Sequence, residues 1–358
     1  VKVTRSTRCS LKYATAAKKA TLDRVLAEYG RVVNCFISQF WLNCPGKDKL
    51  LKPVVDSVPS WFSARLRKVA AREAVDMVKA AKERNGEKAV KPVHRGQRMC
   101  VSSTIAELAA AKHTSFDSWL RLTCIGEKLS LTLPIKKHKH FNALQERGRR
   151  LNAYIVTRDY VQFCFEVETG PKQPADRCVG VDTGINALAT LSTGEQLGTD
   201  IKACIERVKR CKHGSKGQRR ATNALRQRMD EVAKEVVSTA SLVVAENLKN
   251  ITKNTKRRLV KNMRRSIGRW NVRYWLETLQ RKCEDNRVGF RTVSPYKTSQ
   301  TCSSCGYADR RNRSGELFRC LECGFEANAD VQASRNILAR FLTGPYGAGC
   351  KPACPILG

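Results

Sequence analysis

Two Cys-x-x-Cys-Gly segments, Cys302-x-x-Cys305-Gly306 and Cys320-x-x-Cys323-Gly324, stand 14 residues apart in the last quarter of the sequence. Such spacing lets the two thiolates of each knuckle grip one tetrahedral ion, while the glycine permits the backbone to turn beneath the sulfurs. Four thiolates leave no open coordination position, so the predicted ion is a single structural Zn²⁺. A redox pair or four unligated thiols are the alternatives. The chain has 16 cysteines, and only these four are tightly paired with a loop between them. The pattern predicts a reducing compartment and one metal site in place of a disulfide framework. Cys350 and Cys354, in a Gly/Pro-rich tail, read as free thiols.

The chain's charge narrows its partners. Lys and Arg total 67 against 32 Asp and Glu, a formal net charge of +35 over 358 residues. A compact protein with that much self-repulsion is expected to meet a polyanion, because each phosphate contact releases counterions. No run of about 18 apolar residues exists to span a bilayer, and the first residues lack the apolar core of a secretory signal. Nucleic acid is therefore the expected partner and a membrane is not. Two basic runs stand out, Arg207 to Arg220 and Lys249 to Arg265. The candidate contacts are Lys253, Lys256, Arg257, Arg258, Lys261, Arg264 and Arg265, joined by Arg310, Arg311 and Arg313 between the cysteine pairs. Solvated charged faces are the alternative for all of them.

Periodicity divides the chain. Val1 to about Tyr13 reads as a strand. Leu22, Val25, Leu26, Tyr29, Val33, Phe36 and Phe40 mark one face of a helix from Thr21. A second helix is expected over Ser60–Lys82 with Ser60 as N-cap, and Asn85–Gly96 reads as a linker. Strands follow at Leu129–Leu133, and a hairpin over 153–167 turns at Arg158-Asp159. From Cys178 strands and helices alternate: strands around Thr183-Gly184, a helix over Ala221–Ala240, a buried strand at Leu242–Ala245, a helix over Ile267–Cys283 and a strand at Val288–Val293. Alternation of this kind predicts an α/β core.

Three acids sit at the ends of these elements. Asp182 follows the apolar Val179-Gly180-Val181, Glu246 ends Leu242-Val243-Val244-Ala245, and Asp330 lies at the start of an expected helix through Ile337 and Leu338. Acids just past buried strands can converge at one edge of a sheet, where they repel each other unless cations neutralise them. Oxygen-only ligands suit Mg²⁺ or Mn²⁺, and two such ions support phosphodiester hydrolysis. A turn residue or a solvated cap is the alternative for any one acid alone.

These residues carry a resemblance. The runs GVDTGINALATLSTGE (180–195), LVVAENLKNI (242–251) and SPYKTSQTCSSCGYADRRNRSGELFRCLECGFEANADVQASRNILAR (294–340) resemble the three RuvC motifs and the zinc ribbon of TnpB proteins. That family is transposon-encoded and RNA-guided, and is related to the type V CRISPR effectors. The likeness is motif-specific over 178–340 and one of organisation over 1–175. It implies an RNase H-like (RuvC) core with an inserted zinc ribbon, preceded by a β-barrel-like wedge module that carries a helical insertion. In domains, it implies a wedge-like β module over 1–15 and 97–175 and a helical recognition module over 16–96. The nuclease core would cover 176–301 and 324–342, the zinc ribbon 302–323 and a tail 343–358.

The family's catalytic Asp-Glu-Asp set falls on Asp182, Glu246 and Asp330, expected to hold two Mg²⁺ (or Mn²⁺), and its zinc ligands on Cys302, Cys305, Cys320 and Cys323. The stretch from Asp182 to Glu246 is more compact than the family pattern suggests. The implied activity is endonucleolytic hydrolysis of target double-stranded DNA directed by a guide RNA from the transposon end, in a prokaryotic cytoplasm and at the nucleoid when bound to DNA. In that design base pairing reads sequence while the protein reads shape and an adjacent motif. The rival readings are a catalytically silent guided regulator and an unguided nuclease or transposase.

Overall fold

The computed structural model describes residues 1–111, 114–248 and 270–344. Of the basic candidates, Lys253, Lys256, Arg257, Arg258, Lys261, Arg264 and Arg265 lie outside the described residues, as do Cys350 and Cys354. The chain divides into two compact units, Lys2–Glu168 and Thr169–Gly358, the second including Val1.

The N-terminal unit opens with β1 (Lys2–Ser10), followed by α1 (Ala16–Phe40), α2 (Lys52–Asp56) and α3 (Ala64–Asn85). The strands β2 (Arg98–Ser102), β3 (Ala106–Ala110), β4 (Ser118–Leu122) and β5 (Leu131–Ile135) come next. Then come α4 (Lys139–Arg147), β6 (Gly148–Thr157) and β7 (Tyr160–Glu168). The sheets run β1-β7-β6-β2 and β3-β4-β5, all pairs antiparallel.

The apolar stripe read on α1 is buried, but the helix starts earlier than its stripe, because Thr15 accepts a hydrogen bond from the Lys18 N–H and the alanines and lysines of the first turn are good helix formers without large apolar side chains. Likewise α3 is capped by Ser63 rather than Ser60: the Ser63 hydroxyl accepts from Leu66 N–H, and the Ser63 N–H donates to Ile125 across the fold. Ser60 instead hydrogen-bonds Glu28 at 2.5 Å. A tertiary contact picked the cap.

The C-terminal unit is built on a five-stranded sheet ordered β10-β9-β8-β11-β12. Its strands are β8 (Cys178–Asp182), β9 (Ala189–Leu191), β10 (Gln196–Leu197), β11 (Leu242–Glu246) and β12 (Gly289–Val293). β8, β11 and β12 are parallel, whereas β9 and β10 fold back antiparallel. β8 and β11 are almost wholly buried, as expected of parallel strands covered on both faces. One cover is α5 (Ile201–Arg210), α6 (Lys216–Thr239) and α7 (Val272–Asp285), whose Ile205, Met229, Val236, Trp275 and Leu279 join the core over Val179 and Val243. The other is α8 (Ala329–Leu342), whose Ile337, Leu338 and Phe341 pack on Cys178 and Val244. Between β12 and α8 lies a small antiparallel sheet of β13 (Arg313–Ser314), β14 (Leu317–Arg319) and β15 (Glu326–Asn328). The mixed α/β character follows the alternation in the sequence. No described helix is long and apolar enough to cross a membrane.

Candidate active site and metal centre

Parallel pairing sets two of the acids side by side. β8 and β11 run in register from Cys178 opposite Leu242 to Val181 opposite Ala245, and each strand ends one residue later, on Asp182 and Glu246. The third acid arrives by helix. Asn328 caps α8, accepting from the N–H groups of Asp330 (3.0 Å) and Val331 (3.1 Å), so Asp330 occupies the first turn, where the helix dipole favours a carboxylate. The helix can lie this close to β8 because residue 180 is glycine: a Cβ there would sit 2.2 Å from the Ser334 carbonyl oxygen. Ser334 is one helical turn beyond Asp330, so the same contact that brings α8 down brings Asp330 to the strand ends.

The Asp182 carboxyl feels both of the other acids. Burial first, then the charges of Glu246 and Asp330, push the Asp182 pKa up to about 7, against the pull of Arg313 and the Thr183 N–H. Burial also raises Glu246, opposed by the Thr298 hydroxyl and by the charges of Arg340 and Arg313. Arg313 donates through Nη2 to Asp330 Oδ1 at 2.6 Å. Thr298 donates its hydroxyl to Glu246 Oε1, and the turn carrying Thr298 is fixed by Asn336 Nδ2 on the Thr298 carbonyl at 2.7 Å. Trp275, fully buried, donates its indole N–H to the Thr183 hydroxyl at 3.3 Å and so holds the residue after Asp182.

The three carboxylates thus share an electrostatic neighbourhood but are not drawn tightly together. Among the described residues, the only group of three or more His, Cys, Asp or Glu ligand atoms lying within 4.8 Å of one another is the cysteine set.

That set is Cys302, Cys305, Cys320 and Cys323. The Sγ atoms of Cys302 and Cys323 are 3.7 Å apart and those of Cys305 and Cys320 3.5 Å apart. Four thiolates about 2.3 Å from a tetrahedral ion would stand roughly 3.8 Å from each other, so the spacing fits and the cluster can bind zinc. Both knuckles are built alike. Gly306 and Gly324, at φ +78° and +73°, return their N–H groups to the carbonyls of Cys302 and Cys320 at 3.0 Å each. Backbone N–H groups of Cys323 and then Glu322 aimed at the Cys320 sulfur, against some burial, lower its pKa to about 7, whereas Cys302, chiefly through burial, and Cys305, through burial and hydrogen bonds with the other sulfurs, are raised. The ribbon is stitched to α8 by Gln332, which is fully buried: its Oε1 accepts from Ser303 at 2.8 Å and its Nε2 donates to the Thr301 carbonyl at 3.0 Å.

Of the arginines between the cysteine pairs, Arg310 is exposed with no ion pair among the described residues, and Arg311 pairs with Asp309 at 2.9 Å. Arg313 turns inward to Asp330. That role has no signature in the residue pattern, since an arginine between two cysteine knuckles reads as one more surface cation. Thr298, Asn336 and Arg340 were also unread; the closeness of Thr298 to the cysteine motif is the only local hint.

Comparison with known proteins shows what the chain is similar to. Residues 274–337 match the Cas12f1-like TNB domain family. A TnpB-like protein of Aquifex aeolicus is 33% identical over 132 residues, 34% of this chain and 42% of that protein. InsQ of Escherichia coli, whose name carries an RNA-guided DNA endonuclease assignment, is 31% identical over 209 residues, 49% of this chain and 51% of that protein. The chain spans about half or less of the curated relatives it matches. In fold, it is similar to the Cas12f1 chain of a Cas12f1–sgRNA–target DNA complex, with a TM-score of 0.59 and 12% identity over 90% of this chain and 82% of that one. The fold is similar to that of the Cas12f1 chain. The likeness to TnpB proteins read from the motifs stands, and it extends to Cas12f1.

Proposed function

We propose that this protein is an RNA-guided DNA endonuclease that hydrolyses phosphodiester bonds of target DNA at Asp182, Glu246 and Asp330. The observation that carries the reading is the geometry: β8 and β11 run parallel in register and end on Asp182 and Glu246, and Asn328 caps α8 so that Asp330 sits in its first turn; the Asp182 pKa, raised first by burial and then by the charges of both other acids, goes with it. Such a set lowers its own repulsion by taking up divalent cations, and its all-oxygen chemistry fits Mg²⁺ or Mn²⁺. Bound there, a pair of these ions would supply Lewis-acid charge to the attacking water and the leaving 3′ oxygen.

The chain's own residues do the rest. Asp182 and Glu246 ride on buried parallel strands, which fixes their approach. Thr298 occupies one oxygen of Glu246 and leaves the other to face a cation. Arg313 balances part of the negative charge at Asp330 and is placed to follow charge on a phosphate. The four cysteines would hold one structural Zn²⁺ that keeps the ribbon, and through Gln332 the start of α8, in place. In this reading 176–301 and 324–342 form the RuvC core, 302–323 the ribbon, 1–15 and 97–175 a wedge-like β module, and 16–96 a helical recognition module. The partners are a guide RNA and double-stranded DNA, in keeping with the +35 charge; InsQ's name and the Cas12f1 complex support both.

The test is cleavage of DNA matching the RNA that copurifies, with Mg²⁺ or with EDTA. Replacing any one of Asp182, Glu246 or Asp330 by Ala should abolish cutting and leave guide and target binding intact. Full cutting by all three variants would refute the assignment, and specific cutting by RNA-free protein would refute the guide.

A further inference from the structure

Tyr296 is 69% exposed, which by itself is ordinary for a single surface ring. Its position is not that of a loose loop. On one side the Ser294 carbonyl accepts from Arg340 Nη1 at 2.5 Å. On the other, the Thr298 carbonyl accepts from Asn336 Nδ2, and the Thr298 hydroxyl lies between Glu246 and the Pro295 carbonyl. The Tyr296 N–H itself meets the Ser294 hydroxyl at 3.4 Å. The turn directly follows β12, which pairs with β11 so that Val293 lies opposite Glu246. A rigid turn therefore carries an exposed ring out at the sheet edge where the carboxylates emerge, two residues from the one that holds Glu246.

Lys297 adds to this. It adopts φ +56°, a conformation that costs a non-glycine residue free energy, and its ammonium stands 5.5 Å from the Tyr296 ring centroid. An aromatic face with a cation beside it matches what a single nucleic-acid strand presents, a base to stack and a phosphate next to it.

We propose that Tyr296 stacks on a base of the strand bound at the carboxylate edge and so positions that strand for cutting. This rests on the nucleic-acid reading of the site, and the test separates the two. Binding of the full chain, without Mg²⁺, to a 20-nucleotide oligothymidylate and to an abasic strand of equal length isolates the contribution of bases. Tyr296→Ala should weaken binding to the oligothymidylate by roughly tenfold and leave the abasic strand unaffected. Tyr296→Phe and Tyr296→Trp should keep wild-type affinity. Equal loss on both strands, loss on neither, a Phe variant as weak as Ala, or a wild-type protein indifferent to bases would each overturn the proposal. Mg²⁺-dependent cutting of DNA matching the copurified RNA is scored on the same proteins with that RNA bound: base-dependent binding lost in Tyr296→Ala without any cutting by wild type would sink the nuclease reading and leave the stacking residue standing.

Discussion

The guanidinium of Arg313 lies 2.6 Å from Asp330 Oδ1 although the two residues reach that point from different elements, the β-ribbon and the first turn of α8. The pair is mostly shielded, with side chains 31% and 13% exposed, and its charge reaches past Asp330, since Arg313 also lowers the pKa of both Asp182 and Glu246. Arg313→Ala should therefore raise both. Titration of the carboxyl carbons by NMR in metal-free protein checks this: the Asp182 transition should move above about 7, and Arg313→Lys should restore much of it. An unmoved transition would mean that the guanidinium is not felt across the site.

The same raised pKa makes a stability prediction with a definite sign. Asp182 titrates near 3.9 when unfolded and at about 7 in the fold, so the folded chain holds a proton that the unfolded chain releases. The penalty is absent below about pH 4, grows as pH rises, and is complete above about pH 7. Asp182→Asn should accordingly raise the melting temperature of metal-free protein at pH 8, by about 2–4 °C for each kcal/mol relieved, and should do little at pH 4. Mg²⁺ should stabilise the wild type at pH 8 and the Asn variant far less. Calorimetry at both pH values decides it; an Asn variant less stable than wild type at pH 8 would contradict the argument.

Zinc removal should act at a distance. Cys302 and Cys320 are buried with Phe318 and Ala329 in a small core, so a bound metal would supply much of the ribbon's folding free energy. Cys305→Ser should lower bound zinc from one ion per chain towards none. Through the Gln332 bonds to Ser303 and Thr301 it should also loosen the start of α8 and abolish Mg²⁺-dependent cutting. Metal analysis with hydrogen exchange of residues 329–335 reads both effects; zinc-free protein with a protected α8 would break the link.

Much of the site could be read in the chain because its parts are local. Short apolar runs ending on an acid, Val179–Asp182 and Leu242–Glu246, describe buried parallel strands without help from the fold. The cysteine knuckles are likewise set by spacing. What escaped reading depends on partners far along the chain. Arg313 looked like a surface cation until the ribbon carried it to Asp330. Thr298 and Asn336 show no periodicity, and their value lies in the carboxylate and carbonyl they happen to meet. The helix starts were missed for a related reason. The first turn of α1 is alanine and lysine and that of α6 is polar, so neither carries large apolar residues and the apolar spacing begins later, at Thr21 and Ala221, than the caps at Thr15 and Ser215. At α3, Ser63 took the place of Ser60 because a distant loop, at Ile125, meets it.

Gly180 ties this legibility to function. In the sequence it is one small residue in an apolar run; in the fold it is the place where α8 touches β8, with the Ser334 carbonyl 2.2 Å and the Leu338 Cβ 2.9 Å from where a methyl would project. Neither neighbour can yield easily, for one is helix backbone and the other a buried core residue. Gly180→Ala must therefore lift the helix or bend the strand, at a cost of about 1–3 kcal/mol. A lifted α8 carries Asp330 away from Asp182, so the carboxyl titration of Asp182 should fall from about 7 towards its ordinary range, while burial keeps part of the rise. Cutting should drop by orders of magnitude although neither the acids nor the zinc ligands have changed. Leu338→Ala in the same chain should recover neither stability nor cutting, because alanine keeps the Cβ that makes the contact and the backbone oxygen of Ser334 remains. Melting curves and cleavage rates for the single and double variants test this; a Gly180→Ala protein that cuts like wild type would show that α8 does not set the position of Asp330.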